Sequence, residues 1–414
     1  MSLSFDVLRN RDFRLLLITR IFGIMALQAQ AVIVGWQIYS LTGDLLMLGL
    51  VGLVEAVPAI ACALFAGHVV DISRPHFVFR MCIGTIALNT LFLLLFAGGI
   101  IPIPFGKLIH WIFAGIFISG LARSFIMPSS FSLLPQIIPR EKIAAASAWM
   151  TSGFQVAAIT GPAVAGLIYG GYGVQIAWLL PVILMSIAFV MISAISNHHR
   201  QFRRSEKSAP AVQSIKEGWK FILTNNVLLS IMALDMFAVL FGGATAMLPA
   251  IADKVLHVGS EGLGMLRAAP AIGSICTALF LAVRPLKTIK ATVLLYAIAG
   301  FGFSMIGFGM STVFAVSIFF LVLSGAFDSV SMVVRSTLMQ LLVPDNMRGR
   351  VSAVNSMFII SSNEIGAFES GVAAKLFGLV PSIIFGGIGT LVVVSVTSCS
   401  KKLRKTVVST DRDG

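Results

Sequence analysis

Long apolar runs separated by short polar connections make up almost the whole chain. A helix needs about 20 apolar residues to cross a bilayer, and twelve runs meet that length. Several of them approach 30 residues, so tilt or extension beyond the bilayer is expected. The predicted spans are 14–41, 45–67, 76–98, 108–133, 142–170, 174–196, 226–252, 261–284, 289–309, 313–340, 349–377 and 380–400. The pattern predicts an all-α membrane protein with twelve transmembrane helices.

The connections between these spans alternate in charge. Lysine and arginine precede the first span and recur in the even-numbered connections, whereas three odd-numbered connections are nearly free of them: 42–44, 170–173 and 309–311. Because basic residues concentrate on the cytoplasmic side of a membrane, both termini and the central connection are predicted to be cytoplasmic. An even number of spans is then required, and twelve satisfies it.

The sixth connection, 197–225, is the longest polar stretch of the sequence. It divides the chain into an N-terminal half, 1–196, and a C-terminal half, 226–414, which ends in a short cytoplasmic tail. Its last part, Val212 to Phe221, is predicted to form a short amphipathic helix at the membrane surface.

An internal repeat supports this division into halves. Pro139 and Pro344 lie 205 positions apart (344 − 139). Further pairs share that offset: Ser147–Ala148 with Ser352–Ala353, Gly161 with Gly366, and Gly166 with Gly371. With six spans per half the repeats are parallel, so a pseudo-two-fold axis along the membrane normal is predicted to relate them.

The composition agrees with a lipid environment. Hydrophobic residues make up 57% of the chain and charged residues 11%, whereas a soluble domain is about half apolar and a quarter charged. The +13 net charge lies between apolar runs and forms no basic domain. We therefore interpret it as a topology signal and expect no nucleic-acid partner.

Sequence signatures of catalysis and of metal binding are missing. The chain has no GxxxxGK[ST] phosphate loop, no HExxH and no GxSxG, and its four cysteines form no CxxC pair. We therefore expect no enzymatic activity, no cofactor and no metal. The expected partners are a small molecule and the lipid bilayer. Because the sequence carries no sign of oligomerisation, a monomer is expected.

Ionisable residues interrupt the apolar spans at nine positions: Arg20, Glu55, Arg123, Asp235, Arg267, Asp328, Arg335, Glu364 and Glu369. A charge at the bilayer centre costs about 2.5–3.5 kcal/mol on insertion scales, so each should face a protein interior or a wet cavity. Two interpretations remain open: substrate binding or proton relay on one side, and ion pairs that lock helices together on the other.

The chemistry of these residues divides them into two sets of candidates. Burial in a low-dielectric medium favours protonation of a carboxylate, and the proton-coupling candidates are Asp235, Glu55, Glu364 and Asp328. Arginine attracts anions, and the substrate-binding candidates are Arg20, Arg123 and Arg335, with Glu369. The 205-residue offset places Asp328 at the repeat position of Arg123, and we hypothesise that the two face one another across a central cavity.

Two local patterns concern turns and close packing. Gly67, Asp71 and Arg74 fall at the second connection, where Asp71 is predicted to cap a helix N-terminus, with an ordinary tight turn as the alternative. In the fifth span, small residues recur at nearly one-turn spacing, which lets helices approach closely, and a proline there can kink the helix. The residues of this second pattern are Gly153, Gly161, Pro162 and Gly166.

Together these features resemble the major facilitator superfamily over essentially the whole chain. The turn with Gly67, Asp71 and Arg74 resembles the second-loop motif of that family, and the fifth-span pattern resembles its exporter-associated fifth-helix motif. The chain has Ile72 where the motif usually has a basic residue, and Pro75 follows Arg74. The cytoplasmic latch is therefore expected to be weaker or differently paired.

The resemblance is closer to the enterobactin-exporter-like branch of the superfamily. The most specific segment runs from Arg348 and Arg350 through Ser356 and continues with Ser362–Asn363–Glu364 and Phe368–Glu369–Ser370–Gly371. Further matching segments are 10–14, 234–237, 242–245, 261–264 and 266–270. Arg348 and Arg350 join the gating candidates together with Gly67, Asp71, Arg74, Gly161, Pro162 and Gly166.

This resemblance implies a multi-pass secondary transporter of the bacterial inner (cytoplasmic) membrane that exports a small molecule in exchange for protons. The halves would rock around a central site, with the proton gradient as the energy source. A siderophore is the implied substrate. A multidrug efflux pump of the same fold, an importer of an iron–siderophore complex and a non-transporting receptor or scaffold remain as alternatives.

Overall fold

The computed structural model describes residues 5–196, 211–242, 244–283, 288–344, 347–399 and 407–409. The first six α-helices are α1 (Arg11–Thr42), α2 (Leu45–Ile72), α3 (Pro75–Phe96), α4 (Phe105–Ile137), α5 (Ile143–Ser193) and α6 (Ala211–Thr224). The others are α7 (Asn226–Gly242), α8 (Leu248–Lys254), α9 (Gly259–Val283), α10 (Ala291–Met310), α11 (Phe314–Leu342), α12 (Arg348–Phe377) and α13 (Leu379–Ser398). Part of the predicted central loop and most of the basic tail lie outside the described residues.

Short elements complete the architecture. Three 3-10 segments occupy Phe5–Arg9, Arg140–Lys142 and Ala244–Met247. Two three-residue strands, β1 (Thr288–Lys290) and β2 (Val407–Ser409), pair in the antiparallel sense. The sequence analysis did not predict this strand pair.

The helices account for twelve membrane crossings. Within the described part of the chain, ten helical segments are long and apolar enough to span a bilayer. The 51 residues of α5 would extend for about 77 Å as one helix, more than twice the roughly 30 Å hydrocarbon core, so α5 supplies a second crossing. The more polar α12, with 30 residues, supplies the twelfth. The predicted all-α fold with twelve transmembrane helices is confirmed.

Helix ends repeat between the two parts of the chain. Asn10 caps α1 by accepting a hydrogen bond from the Phe13 amide at 3.1 Å. Asn225, which lies 215 positions later (225 − 10), caps α7 by accepting bonds from the Val227 and Leu228 amides, each at 3.2 Å. An asparagine oxygen at this position satisfies amides that have no partner within the helix.

Two glycines divide long helical stretches at equivalent places. Gly173 breaks α5 into two arms with φ 81°, and Gly378 separates α12 from α13 with φ 95°. These positions are 205 apart (378 − 173) and need positive φ, which glycine adopts without a Cβ clash. The odd-numbered connection predicted at 170–173 is therefore a single-residue break rather than a loop.

One predicted span is interrupted. The apolar run 226–252 forms α7, which ends at Gly242, and continues after Gly243 as the 3-10 segment and the short α8. Pro249 lies in the first turn of α8, where its missing amide costs no helical hydrogen bond. The predicted span 226–252 is confirmed as one candidate membrane crossing, Val227–Lys254, although α7, the 3-10 segment and α8 share it.

The folded chain forms two compact units. Unit 1 comprises Met1–Thr42, Val54–Ala211 and Gly259–Ala268, and unit 2 comprises Gly43–Leu53, Val212–Val258 and Ala269–Gly414. Each unit thus combines most of one sequence half with a short segment, about ten residues long, of the other. The predicted boundaries, 1–196 and 226–414, describe the repeat and stay a prediction.

The core of unit 1 lies where α1, α3, α4 and α5 meet. Phe13, Phe79, Leu133 and Met185, one from each helix, are at most 1% exposed. Because lipid is as apolar as these side chains, the four helices are held together here by close van der Waals packing.

The core of unit 2 is built from α7, α10 and α11, with a second cluster around α6. Ile231, Leu294 and Val334 are fully buried in the first cluster. In the second, Ile222 of α6 packs with Val351 of α12. The predicted helix over Val212 to Phe221, in the last part of the central loop, is confirmed as α6. Its position at the membrane surface stays a prediction.

Candidate functional site

Three site candidates lie on repeat-related helices: Arg20 on α1 in unit 1, and Asp235 and Arg335 on α7 and α11 in unit 2. Arg20 lies nine residues after the start of α1, and Asp235 nine residues after the start of α7. Ser130 lies seven residues before the end of α4, and Arg335 seven before the end of α11. The repeat therefore places Arg20 at the position of Asp235, and Ser130 at the position of Arg335.

In unit 2 this position holds a buried ion pair. Asp235 of α7 pairs with Nη1 of Arg335 on α11, and each residue is only 7% exposed. A carboxylate and a guanidinium neutralise each other here, and removal of either partner would leave a buried charge at a cost of about 3–5 kcal/mol. The structure thus brings together a proton-coupling candidate and a substrate-binding candidate that the sequence had assigned to separate roles.

In unit 1 the same position holds a cation and a hydroxyl. Nη1 of Arg20 donates a hydrogen bond to Oγ of Ser130 at 3.0 Å. Among the described residues, no carboxylate forms an ion pair with Arg20. The neighbouring Ser129 is fully buried, and its hydroxyl has no hydrogen-bond partner within the described part of the chain. The positive charge of Arg20 is therefore not neutralised by this protein's described side chains.

A second ion pair in unit 1 joins α2 and α4. Arg123 pairs with Glu55, and their side chains are 42% and 21% exposed. Gly120, one turn before Arg123, lets α4 approach the backbone carbonyl of Glu55 closely. This pair is more accessible than the pair of unit 2.

The counterpart of this pair in unit 2 has lost one partner. Gly325 of α11 lies against the carbonyl of Pro270 on α9, just as Gly120 lies against that of Glu55. Asp328 occupies the repeat position of Arg123, but Pro270 replaces the glutamate. Asp328 is partly buried and forms no hydrogen bond or ion pair with the residues that the structure describes.

These contacts bear on the hypothesis that Arg123 faces Asp328. Arg123 already has a counterion within unit 1, namely Glu55. The pairing of Arg123 with Asp328 would join residues of different units and stays a prediction.

Two further candidate glutamates lie on α12. Glu364 and Glu369 are both partly buried. Gly52 of α2 packs close to the α12 backbone, where a methyl group would lie 3.5 Å from Oε2 of Glu364. Their predicted roles in proton coupling and substrate binding stay predictions.

The fifth-span motif packs as its small residues predict. A methyl group on Gly161 would lie 2.8 Å from the carbonyl oxygen of Met25 on α1. The repeat-related Gly366 of α12 would meet the carbonyl of Leu240 on α7 at 2.9 Å. Both helix pairs are therefore too close for alanine without movement, and the gating role of Gly161 and Pro162 stays a prediction.

A second pair of repeat-related glycines makes glycine–glycine contacts. A methyl group on Gly166 would lie 2.8 Å from Cα of Gly264 on α9, within unit 1. A methyl group on Gly371 would lie 2.8 Å from Cα of Gly49 on α2, within unit 2. Glycines that are 205 positions apart thus make the same kind of close helix contact in the two units.

The gating candidates at the second connection and at the start of α12 are described only in part. Gly67 and Asp71 lie within α2 and Arg74 directly precedes α3, but the Asp71 side chain is outside what the structure describes, as is that of Arg348. Arg350 pairs with Glu217 of α6. Glu217 had not been singled out from the sequence, because only the fold brings α6 to the start of α12.

Sequence reasoning also missed a polar cluster in unit 1. Ser119 of α4 accepts hydrogen bonds from Gln30 of α1 at 3.2 Å and from Asn89 of α3 at 2.8 Å. The amide side chains within the apolar runs are a signal of this cluster that is visible in the sequence, but the candidates in the sequence analysis are ionisable residues. Within the described residues, no group of three or more histidine, cysteine, aspartate or glutamate side chains could hold a metal ion.

Comparison with known proteins assigns the family. The model of the Major Facilitator Superfamily matches residues 16–367. The chain belongs to this superfamily, so it is a multi-pass membrane transporter of small molecules and not an enzyme.

Curated relatives are distant but extend over most of the chain. The enterobactin exporter EntS of Shigella boydii serotype 4 (strain Sb227) is 22% identical over 382 residues, which cover 92% of this chain and 89% of the exporter. The staphyloferrin A transporter of Staphylococcus aureus (strain NCTC 8325 / PS 47) is 24% identical and covers 87% and 89%. The match to the uncharacterized MFS-type transporter YjbB of Bacillus subtilis (strain 168) is 23% identical and spans 65% of each chain.

Solved transporters share the fold. A POT family transporter in complex with 5-aminolevulinic acid has a TM-score of 0.74 at 11% identity and covers 96% of this chain and 97% of its own. A bacterial homologue of the iron transporter ferroportin, in its inward-facing state, has a TM-score of 0.71 at 14% identity, with 94% and 99% covered. These likenesses establish the fold alone.

Proposed function

We propose that this protein exports a siderophore or a similar small molecule in exchange for protons by alternating access. The proposed location is the bacterial inner membrane, with both termini in the cytoplasm and the chain acting as a monomer. The names of two relatives, an enterobactin exporter and a staphyloferrin A transporter, support a siderophore as the substrate. Export rather than import rests on the resemblance of the fifth-span glycine–proline pattern to an exporter motif.

The observation that carries proton coupling is the isolated carboxylate of Asp328. A carboxylate that lies within a membrane span and has no counterion is stabilised by taking up a proton. The described residues offer Asp328 no such counterion. Asp235 and Glu55 differ, because each is paired with an arginine of this chain.

The coupling follows from the two protonation states of Asp328. The ionised carboxylate accepts hydrogen bonds from donor groups of the substrate, and protonation removes its negative charge and part of its acceptor capacity, which weakens those bonds. Substrate and proton therefore compete, as exchange requires. Each proton that enters releases about 2.3 kcal/mol per 100 mV of membrane potential, which supports a concentration ratio of roughly 40-fold.

The test uses purified full-length protein in proteoliposomes with an imposed pH gradient and iron-free enterobactin as the probe. We expect wild-type protein to move the probe against its concentration gradient when the opposite compartment is acidified. Asp328→Asn should lose at least 90% of this movement, because the amide cannot release a proton, yet it should retain exchange of labelled for unlabelled probe at equilibrium.

Each alternative outcome has a defined meaning. Gradient-driven transport that persists in Asp328→Asn would overturn the role of Asp328. Probe movement in the direction of proton flow would identify an importer. Movement of lipophilic cations in place of the siderophore would identify a multidrug pump, and no movement of any probe would favour a non-transporting receptor or scaffold.

A further inference from the structure

The isolated charge of unit 1 is Arg20, and its surroundings favour an anion. One N–H group of its guanidinium is used by Ser130, at 3.0 Å, and a guanidinium offers five in a rigid fork. The carboxylates that the structure describes do not pair with it. A second, independent donor lies on the same stretch of α4, where the buried hydroxyl of Ser129 has no partner among the described groups.

The repeat shows what this position requires. In unit 2 the equivalent pair of positions holds opposite charges, Asp235 and Arg335, and is neutral. In unit 1 a serine replaces one charged partner, so the pair of positions carries a net positive charge. An arginine within a membrane span is costly unless its charge is compensated, and a bound anion supplies the missing partner.

The arginines that already form ion pairs are poorer candidates for binding an anion. Arg123 and Arg335 each already hold a carboxylate of this chain, so a ligand would have to displace it. Arg20 contacts only a hydroxyl, so a ligand displaces no carboxylate from it. The planar fork of its guanidinium matches the two oxygens of a carboxylate.

We propose that Arg20, with Ser130 beside it, binds a carboxylate of the transported molecule. This inference rests on the proposed transport function and specifies the substrate class: a small organic acid that also carries hydrogen-bond donors. Export of such an anion gains a further driving force, because a negative charge leaves the negative interior of the cell at about 2.3 kcal/mol per 100 mV.

Equilibrium binding without any gradient tests the inference separately from transport. The full-length protein in nanodiscs of zwitterionic lipid is titrated calorimetrically with citrate and, in parallel, with trimethyl citrate, its uncharged ester. We expect citrate to bind and the ester to bind at least about tenfold more weakly, since charge-assisted hydrogen bonds are lost.

Variants on α1 and α4 locate the site. Arg20→Gln should weaken citrate binding at least tenfold, whereas Arg14→Gln removes the same charge from an exposed position of α1 and should leave binding unchanged. Ser130→Asp places a carboxylate beside Arg20 and imitates the ion pair of unit 2. It should therefore abolish citrate binding even though Arg20 is intact, and its melting temperature should show that it folds.

Three results would overturn the inference. They are equal binding of citrate and its ester, equal loss in Arg20→Gln and Arg14→Gln, and Arg20-dependent binding of phosphatidylglycerol but not of citrate, which would assign Arg20 to a lipid headgroup. Gradient-driven transport that does not depend on Arg20 would leave the proposed function standing without this site. Citrate binding at Arg20 with no transport would leave this site standing without the proposed function.

Discussion

The helices of unit 1 and unit 2 pack against one another at equivalent positions, but the charged residues at those positions differ. The contact between α1 and α4 in unit 1 and the contact between α7 and α11 in unit 2 involve equivalent positions. These positions hold Arg20 and Ser130 in unit 1, and Asp235 and Arg335 in unit 2. The α2–α4 contact of unit 1 is an ion pair, Glu55 with Arg123, and its counterpart leaves Asp328 alone. At these two repeat-related contacts, each unit thus has one neutral pair and one isolated charge among the described residues, and the isolated charges have opposite sign.

The difference indicates how two repeat-related units can combine helix packing with ligand or proton binding. Paired charges satisfy one another and hold helices together, so they are expected to affect stability more than transport. Arg20 and Asp328 have no counterion among the described side chains and are available to a ligand or a proton. Opposite isolated charges in the two units fit the proposed exchange of an anion for a proton.

The largest effect is expected from breaking the buried pair of unit 2. Asp235→Asn should destabilise the protein by about 3–5 kcal/mol because it leaves the Arg335 charge buried and unpaired. Arg20→Gln, at the equivalent position of unit 1, should cost less than about 1 kcal/mol, since it removes a charge that has no counterion. Unfolding of the purified protein in detergent–denaturant mixtures measures both.

A double variant controls for the loss of the side chains themselves. Asp235→Asn combined with Arg335→Gln should recover more than half of the lost stability, because no lone charge remains. Equal destabilisation by Asp235→Asn and Arg20→Gln would contradict the distinction between the two units.

An intermediate effect, equal in both units, is expected at the repeat-related glycines. Gly161→Ala and Gly366→Ala each place a methyl group within 3 Å of a carbonyl oxygen, and overpacking of this kind costs about 1–3 kcal/mol. The same unfolding measurement applies. Gly171→Ala is the control, since nothing lies within 4 Å of a methyl group there. A cost confined to one unit would show that the packing is not shared.

The smallest effect is expected at an exposed ion pair outside the membrane. Lys142 donates a hydrogen bond to Asp6 and, by this contact and its charge, lowers the pKa of that carboxyl below its usual 3.8. Because the folded-state pKa is the lower one, this stabilisation is present above about pH 4 and is lost as the pH falls through the lowered value.

The difference in melting temperature between wild type and Asp6→Asn should therefore be small at pH 6 and should shrink as the pH falls below about 4. Lys107→Gln supplies a matched control at an exposed lysine. A difference that grows on acidification would contradict the assigned direction.

Much of the fold could be predicted from the sequence. Apolar runs longer than a bilayer predict helices whatever their neighbours, and the offset of 205 residues identified glycines that the structure shows in equivalent contacts. The break within the run 226–252 and the pairing of β1 with β2 were not predicted, because they depend on local backbone freedom and on contacts between distant segments.

The sequence by itself determined which residues carry charge inside the spans, since composition is enough to recognise a charge among apolar residues. Only the tertiary structure decided which of those charges are neutralised. Neutralisation depends on distances of a few ångströms between different helices, and Coulomb energy falls off with that distance. For this reason Arg20, Arg123 and Arg335 were equivalent in the sequence, whereas in the folded chain Arg123 and Arg335 hold carboxylates and Arg20 holds only a hydroxyl.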